Sequence, residues 1–134
     1  MNTCTRWSAI VVAVLGVVCL VFGIIFITQA CSSEQEIAES IQPVTLAELD
    51  ATYEVVKTKQ MAIRAAEEPN IQAETAAPSA TYNYLTIQRT ALGLARTNVG
   101  LAAFVRTSGI IGIIVGLGLI LAGVGLFKKS RSEA

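Results

Sequence analysis

The chain has 134 residues, of which 53% are hydrophobic and 15% are charged, and its ten basic residues balance its ten acidic ones. A neutral chain lacks the basic surface of a nucleic-acid-binding protein, and the hydrophobic content is too high for a disordered one. Histidine is absent, which excludes histidine-ligated haem or zinc, histidine general bases and a Ser-His-Asp triad. We therefore predict no enzymatic activity, no nucleic-acid partner and no catalytic, cofactor-binding or metal-binding residue.

Two uncharged apolar runs, Ser8 to Thr28 and Thr107 to Phe127, have the length of a membrane-spanning helix. At 1.5 Å rise per residue each run gives a helix of about 31 Å, and the hydrocarbon core of a bilayer is about 30 Å thick. The sequence therefore predicts transmembrane helices at 8–28 and 107–127.

Basic residues flank both runs on the side of the chain termini. Arg6 precedes the first run, and Lys128, Lys129 and Arg131 follow the second, with Glu133 as the only acid in either tail. Short cytoplasmic segments are enriched in Lys and Arg. We predict cytoplasmic tails at 1–7 and 128–134, and an extracytoplasmic segment at 29–106.

The N-terminal run has a second interpretation, as a signal peptide. Thr28 and Ala30 are small residues placed before a possible cleavage site, and Cys31 lies where a lipoprotein carries its lipid. The run is longer than the apolar core of a signal peptide, which has about 7 to 15 residues. An uncleaved anchor is therefore the favoured interpretation, and cleavage or lipidation at Cys31 is the alternative.

The cysteines do not form a disulfide framework. Cys4 is predicted on the cytoplasmic side, Cys19 inside the membrane and Cys31 at its outer boundary. No two of them can approach within the distance that a disulfide needs. Cys31 could pair only with a second copy of the chain.

Small residues recur every seven positions in both apolar runs, and they allow two helix backbones to approach closely. The second run also contains a GxxxG motif, Gly112 to Gly116. With Thr28 level with Thr107, an antiparallel pair brings Gly23 opposite Gly112 and Cys19 opposite Gly116. A homodimer through Gly112 and Gly116 is the alternative. The predicted packing residues are Ala9, Ala13, Gly16, Gly23, Gly109, Gly112, Gly116 and Gly123.

Between the runs, apolar residues at spacings of three and four predict two helices, at about 46–68 and 84–106. Thr45 and Glu48 have the spacing of a capping box at the start of the first, and Pro69 should end it. No helix breaker separates the second from the last apolar run, so the two should form one continuous helix. A shorter helix is predicted at 33–40.

Each of these predicted helices has one polar residue in its apolar seam, Gln60 in the first and Asn98 in the second. A buried amide needs a hydrogen-bond partner. If the chain turns near Ala76, Asn98 should lie near Tyr53 or Glu54 and bond there. Asn98 could instead fix the register of an oligomer, as polar seam residues do in coiled coils.

The last third of the chain resembles the C-terminal half of small bacterial two-span membrane proteins of uncharacterised function. The resemblance lies in Gln88 to Leu92, in Leu101 to Phe104 and in the glycine-rich run that follows. It implies a helical hairpin in a bacterial inner membrane and transfers no site residue. Some of those proteins carry a dioxygenase label, which conflicts with a chain that lacks the histidines of a non-haem iron site.

The fold class that follows is an all-α membrane protein. Two transmembrane helices carry an extracytoplasmic antiparallel helical hairpin, whose second helix is continuous with the second span. The expected function is that of a non-enzymatic accessory or interaction subunit in the inner membrane. Its expected partners are the lipid bilayer and either another membrane protein or further copies of the chain. The alternative is a sensor or signal-relay subunit that acts through the outer hairpin and a separate partner.

Overall fold

The computed structural model describes residues 3–132, with side chains from residue 6 to residue 129. Cys4, Arg131 and Glu133, on which sequence predictions rest, lie outside the described side chains. The described residues form three helices, α1 (Thr3–Ser40), α2 (Leu49–Gln72) and α3 (Ala80–Ser132), and none of them is in a β-strand. Two of the helices contain stretches long and apolar enough to cross a membrane, by length and composition, Arg6–Ser40 in α1 and Ala80–Lys129 in α3. The all-α prediction is confirmed in this form.

The helix boundaries differ from those predicted. The separate helix expected at 33–40 is the continuation of α1, because no proline or glycine lies between Gly23 and its end. The helix α2 begins at Leu49 and ends at Gln72, against a prediction of 46–68. The helix α3 begins at Ala80, four residues before its predicted start.

Thr45 and Glu48 pair with each other, but they do so ahead of α2. The Thr45 hydroxyl donates to Glu48 Oε2 at 2.8 Å, and the Glu48 backbone N–H donates to the Thr45 carbonyl at 3.1 Å. The hydroxyl therefore donates to the carboxylate instead of capping a backbone N–H. The segment forms a turn, and the helix starts one residue after Glu48.

The end of α2 is set by backbone hydrogen bonds after Pro69. Proline within the last turn of a helix removes only one backbone donor, and the chain continues to Gln72. The Thr75 N–H then donates to the Asn70 carbonyl at 3.0 Å, and the Glu74 N–H donates to the Ile71 carbonyl at 3.1 Å. Glu74 is left-handed, with φ of 56°. This is the Schellman arrangement of a helix C-terminus, with glutamate at the position that glycine usually occupies.

The chain divides into two compact units. The apolar unit combines the residues up to Ser32 with those from Ala102 onward, and the three-helix unit comprises Ser33–Leu101. In the apolar unit, successive contacts along α1 run backward along α3, so the two helical segments are antiparallel.

The three-helix unit has a small hydrophobic core to which all three helices contribute. The last turns of α1 provide Ile37, and the connection to α2 provides Ile41. Buried side chains of α2 and α3 complete the core, with Val44, Leu46, Tyr53, Ile63 and Val99 packed against it. The buried core residues are Ile37, Ile41, Leu49, Val56, Leu85, Leu92 and Ala95.

Candidate functional site

Glycines from both helices meet along the contact within the apolar unit. A methyl group on Gly16 would lie 2.7 Å from the Gly116 carbonyl oxygen, and one on Gly23 would lie 2.7 Å from the Gly109 carbonyl oxygen. Carbon and oxygen atoms in proteins do not approach that closely without displacement of the backbone. Glycine is therefore required at these four positions for the helices to pack as they do.

The remaining predicted packing residues lie on the same contact. A methyl group on Gly123 would lie 2.9 Å from the Ala13 backbone nitrogen and 3.0 Å from the Ala9 carbonyl oxygen. One on Gly112 would be 3.4 Å from the Gly23 Cα, which is ordinary van der Waals contact. The structure thus places all eight predicted packing residues in one interface within the chain.

The predicted contact between Gly23 and Gly112 is present, since a methyl group on Gly112 would lie 3.4 Å from the Gly23 Cα. The nearest neighbours of a methyl group on Gly116 are Gly16 and Leu20, where Cys19 was expected. Gly116 therefore lies between two positions of the facing helix, one turn apart, rather than directly opposite Cys19.

The other faces of the same segments are apolar and exposed. Large side chains on α1 and α3 remain 37 to 72% exposed in this unit, which is typical of a surface that faces lipid rather than water. Arg6 lies 5.8 Å from the centre of the Phe127 ring. That cation–π contact joins the terminal ends of the two segments.

A polar cluster surrounds Gln60 in the three-helix unit. Gln60 is 4% exposed, and both ends of its amide are paired. Its nitrogen donates to the Thr86 hydroxyl oxygen at 3.3 Å, and its oxygen accepts from Arg89 at 2.8 Å. Thr86 in turn donates to the Tyr82 carbonyl at 2.8 Å. A predicted polar seam residue of α2 therefore connects α2 to α3.

Beside this cluster lies an open cleft of about 520 Å³. Two arginines and two tyrosines line it, together with threonines and the small surface of Gly93. The sequence alone does not connect Arg89 and Thr86 to Gln60, because that contact depends on the register of α2 against α3. The charged and aromatic lining residues are Arg64, Arg89, Tyr53 and Tyr82.

The predicted bond between Asn98 and Tyr53 or Glu54 is not formed. Asn98 is exposed, and the ring of Tyr53 lies instead against Gly93, 3.4 Å from a methyl group built there, and 5.5 Å from the Arg96 guanidinium. The reason is that α3 carries two apolar stripes. The inner stripe, Leu85, Leu92, Ala95 and Val99, packs in the core or against it, whereas Asn98 lies on a different face of the helix.

Arg96 forms an exposed ion-pair group between α3 and α2. Its guanidinium lies 2.7 Å from Asp50 and 3.9 Å from Glu54, which also pairs with Lys57 at 3.0 Å. More than half of the Arg96 and Asp50 side chains is exposed. Exposed ion pairs of this kind contribute little to stability, so we regard the group as a surface feature.

Glu67 fixes the start of α3. Its carboxylate accepts the Ser79 hydroxyl at 2.6 Å and the Ser79 backbone N–H at 3.0 Å. The Ser79 hydroxyl oxygen accepts the Tyr82 backbone N–H at 3.0 Å and so caps α3. The hydrogen bonds from Ser79 lower the pKa of Glu67 below its ordinary value.

Arg64 and Glu68 pair one turn apart on α2. Two guanidinium nitrogens of Arg64 each donate to a different Glu68 oxygen at 2.7 Å. These hydrogen bonds lower the pKa of Glu68. The pairing also holds the Arg64 side chain along α2 beside the cleft.

The described residues contain no group of three or more His, Cys, Asp and Glu side chains placed to hold a metal ion. Cys19 and Cys31 are free thiols, with Cys31 exposed.

Comparison with known proteins gives no match for this chain among protein-family models, curated proteins or solved structures. The resemblance to small bacterial two-span proteins stays a prediction.

Proposed function

We propose that the chain is a non-enzymatic inner-membrane protein that acts as an interaction subunit. In this proposal α1 and α3 cross the bilayer with both termini in the cytoplasm, and 29–106 lies on the extracytoplasmic side. The basic residues that flank the apolar runs support this orientation. The glycine interface supports a paired insertion, since it joins the two apolar segments within one chain.

The observation that carries the proposal is an unpartnered apolar face on α3. We call it the outer stripe: Tyr84, Ile87, Ala91, Leu94, Asn98 and Leu101. Its four large apolar side chains are 60 to 69% exposed. In the proposed topology all six residues precede the span and face water. An apolar face of this size in water marks a protein–protein contact.

Site-specific photo-crosslinking in intact cells tests this function. A photoreactive amino acid at Ile87 lies on the outer stripe, and one at the exposed Lys59 on α2 is the matched control. We expect a discrete protein adduct from position 87, at several times the yield from position 59. Equal yields at both positions would contradict an interaction function for this face.

A second candidate function, ligand sensing, is favoured by the Gln60 cleft. Arg64 and Arg89 line it. Arg64 also pairs with Glu68 and Arg89 with Gln60, and their remaining guanidinium N–H groups suit a carboxylate or phosphate. A ligand bound to Arg89 would change the contact between α2 and α3, because Arg89 also donates a hydrogen bond to Gln60. A separate partner would then carry the signal onward.

Thermal unfolding of the purified protein in detergent tests the sensor function. A panel of carboxylates and phosphates should raise the unfolding midpoint if one of them binds the cleft. Arg89→Gln should abolish the shift, whereas Arg96→Gln, which changes an arginine outside the cleft, should preserve it. A shift that is unchanged by Arg89→Gln would rule out this site.

A further inference from the structure

The residues of the outer stripe follow the spacing of a coiled-coil seam. From Tyr84 to Leu101 they recur at intervals of three and four, while the inner stripe of the same helix is already buried. Tyr84, Ala91 and Asn98 take the a positions of the heptad, and the d positions hold Ile87, Leu94 and Leu101. The seam has six successive a and d positions, and none of these residues belongs to the core of the three-helix unit.

Asn98 is the residue that points to the kind of partner. An asparagine at a single a position between leucines at d fixes register and favours two parallel strands, because each amide meets its equivalent. Asn98 lies between Leu94 and Leu101 and is exposed. An asparagine paired with itself explains a polar residue in an otherwise apolar seam.

We propose that the outer stripe binds the outer stripe of a second copy of this chain, as a parallel two-stranded coiled coil. The inference rests on the proposed interaction function and names its partner. The helix α3 runs without a break from Ala80 into the second apolar run. Two copies inserted with one topology therefore present parallel α3 helices, which is the arrangement in which Asn98 meets Asn98.

The exposed side chains of the stripe would form the centre of such a dimer. Its four large apolar side chains are 60 to 69% exposed, so most of their surface is available to a second helix. The paired spans add membrane confinement, which raises the effective concentration of the two stripes.

The residues that flank the seam are uncharged, so their removal from water in a dimer costs little free energy. Asn83, Gln88, Thr90 and Thr97 border the stripe, so no like charges oppose pairing of identical helices. The Thr90 and Thr97 hydroxyls donate to the carbonyls of Thr86 and Gly93, at 2.9 and 3.1 Å. Both hydroxyls are thus already paired within α3 and need no partner in the dimer.

Lipid does not account for the whole stripe. Tyr84 precedes Thr107, the start of the predicted span, by a helical distance of about 35 Å. Headgroups near the span could contact Leu101, but they would not reach the Tyr84 end of a helix that leaves the membrane. The Tyr84 end of the stripe is therefore available to a second protein helix.

Disulfide trapping in the full-length chain tests the proposal. In a variant without native cysteines, reconstituted in phosphatidylethanolamine and phosphatidylglycerol vesicles, Leu94→Cys places a thiol in the seam. Gly100→Cys is the control on the same helix, at a position with open space around it. We expect at least tenfold faster formation of a covalent dimer from Leu94→Cys. Equal rates would overturn the parallel coiled coil.

Association measured by energy transfer in the same vesicles provides a second test. Leu94→Lys should weaken self-association at least tenfold, and Gly100→Lys should leave it within twofold of the parent. Leu94 is 61% exposed, so its replacement leaves the core of the chain intact. Equal association of Leu94→Lys and the parent would overturn the proposal.

The crosslinking at Ile87 separates this inference from the function on which it rests. An adduct of twice the chain mass supports both. An adduct with a different protein, together with no self-association, retains the interaction function and overturns the second copy as partner. No adduct above the Lys59 control overturns both.

Discussion

Glu74 occupies a backbone conformation that costs free energy for a residue with a Cβ. Its φ of 56° places it in the left-handed region at the end of α2. The left-handed conformation costs a residue with a side chain about 1 kcal/mol of folding free energy. Glycine avoids that cost, but it makes the unfolded chain more flexible and so loses more entropy on folding. We expect Glu74→Gly to raise the free energy of unfolding by about 0.5 kcal/mol.

The adjacent residue is the control for this substitution. Ala73 has φ of −79°, so glycine there gains no relief of strain and loses stability. Denaturant unfolding of both variants in the same detergent gives the comparison. A destabilised Glu74→Gly would show that the left-handed conformation carries no cost at this position.

Glu67 makes the start of α3 sensitive to acid. Its pKa is lowered in the folded state by the hydrogen bonds from Ser79. A group whose folded pKa is depressed stabilises the fold above its unfolded pKa, and this stabilisation is lost as the pH falls through the folded pKa. Below its ordinary pKa of about 4.5, the contribution of Glu67 should therefore decline.

We expect Glu67→Gln to lower the thermal unfolding midpoint at pH 7 and to reduce its dependence on pH below 5. Ser79→Ala should act in the same direction, because it removes the hydroxyl that donates to Glu67 and caps α3. Circular dichroism at a series of pH values measures both effects. Parallel pH curves for Glu67→Gln and the parent would contradict this account.

Among the elements, the paired apolar segments depend on contact between backbones. A methyl group on Gly116 would lie 2.7 Å from the Gly16 carbonyl oxygen and 2.8 Å from the Leu20 backbone nitrogen. Neither group is the flexible end of a side chain. In lipid, where we propose that these segments lie, no hydrophobic driving force brings helices together, so their stability would depend on this packing.

Gly116→Ala should therefore lower the free energy of unfolding by about 1 kcal/mol or more. Gly118→Ala is the matched control, since a methyl group there has no atom within 4 Å and alanine favours the helix. Unfolding in mixed micelles of increasing dodecyl sulfate content measures both variants. If Gly116→Ala were as stable as Gly118→Ala, the close glycine interface would be disproved.

At the scale of the whole molecule, the proposed orientation in a membrane is open to direct measurement. In a variant without native cysteines, single cysteines replace Ala77 in the connection before α3 and Lys128 after the second apolar run. An impermeant thiol reagent added to intact cells should label position 77 only. Inverted inner-membrane vesicles should give labelling of position 128 only. Labelling of both positions from one side would exclude the two-span topology.

The sequence by itself determined the helical class and the two apolar segments. The length of these segments and their lack of charge are typical of a membrane-spanning helix. Their small packing residues were identified because they recur every seven residues, as Gly16 and Gly23 do in the first segment and Gly109 and Gly116 in the second. Spacing along one helix also placed Gln60 among the buried residues of α2. Such patterns are local, because each depends on residues within a few turns of the same helix.

Only the tertiary structure decided which atoms of these segments meet. Aligned segment ends placed Gly23 opposite Gly112, and these residues are in contact, but the closest approaches, such as Gly116 to the Gly16 carbonyl oxygen, depend on the packing of both helices. The contact between Gln60 and Arg89 joins residues 29 apart in sequence. The two apolar stripes of α3 satisfy the same spacing rule, so the sequence could not identify which of them is buried. Packing against α1 and α2 buries the stripe that contains Leu85 and Leu92. The two neighbouring helices of one chain can cover only one face of α3, so the other stripe stays exposed.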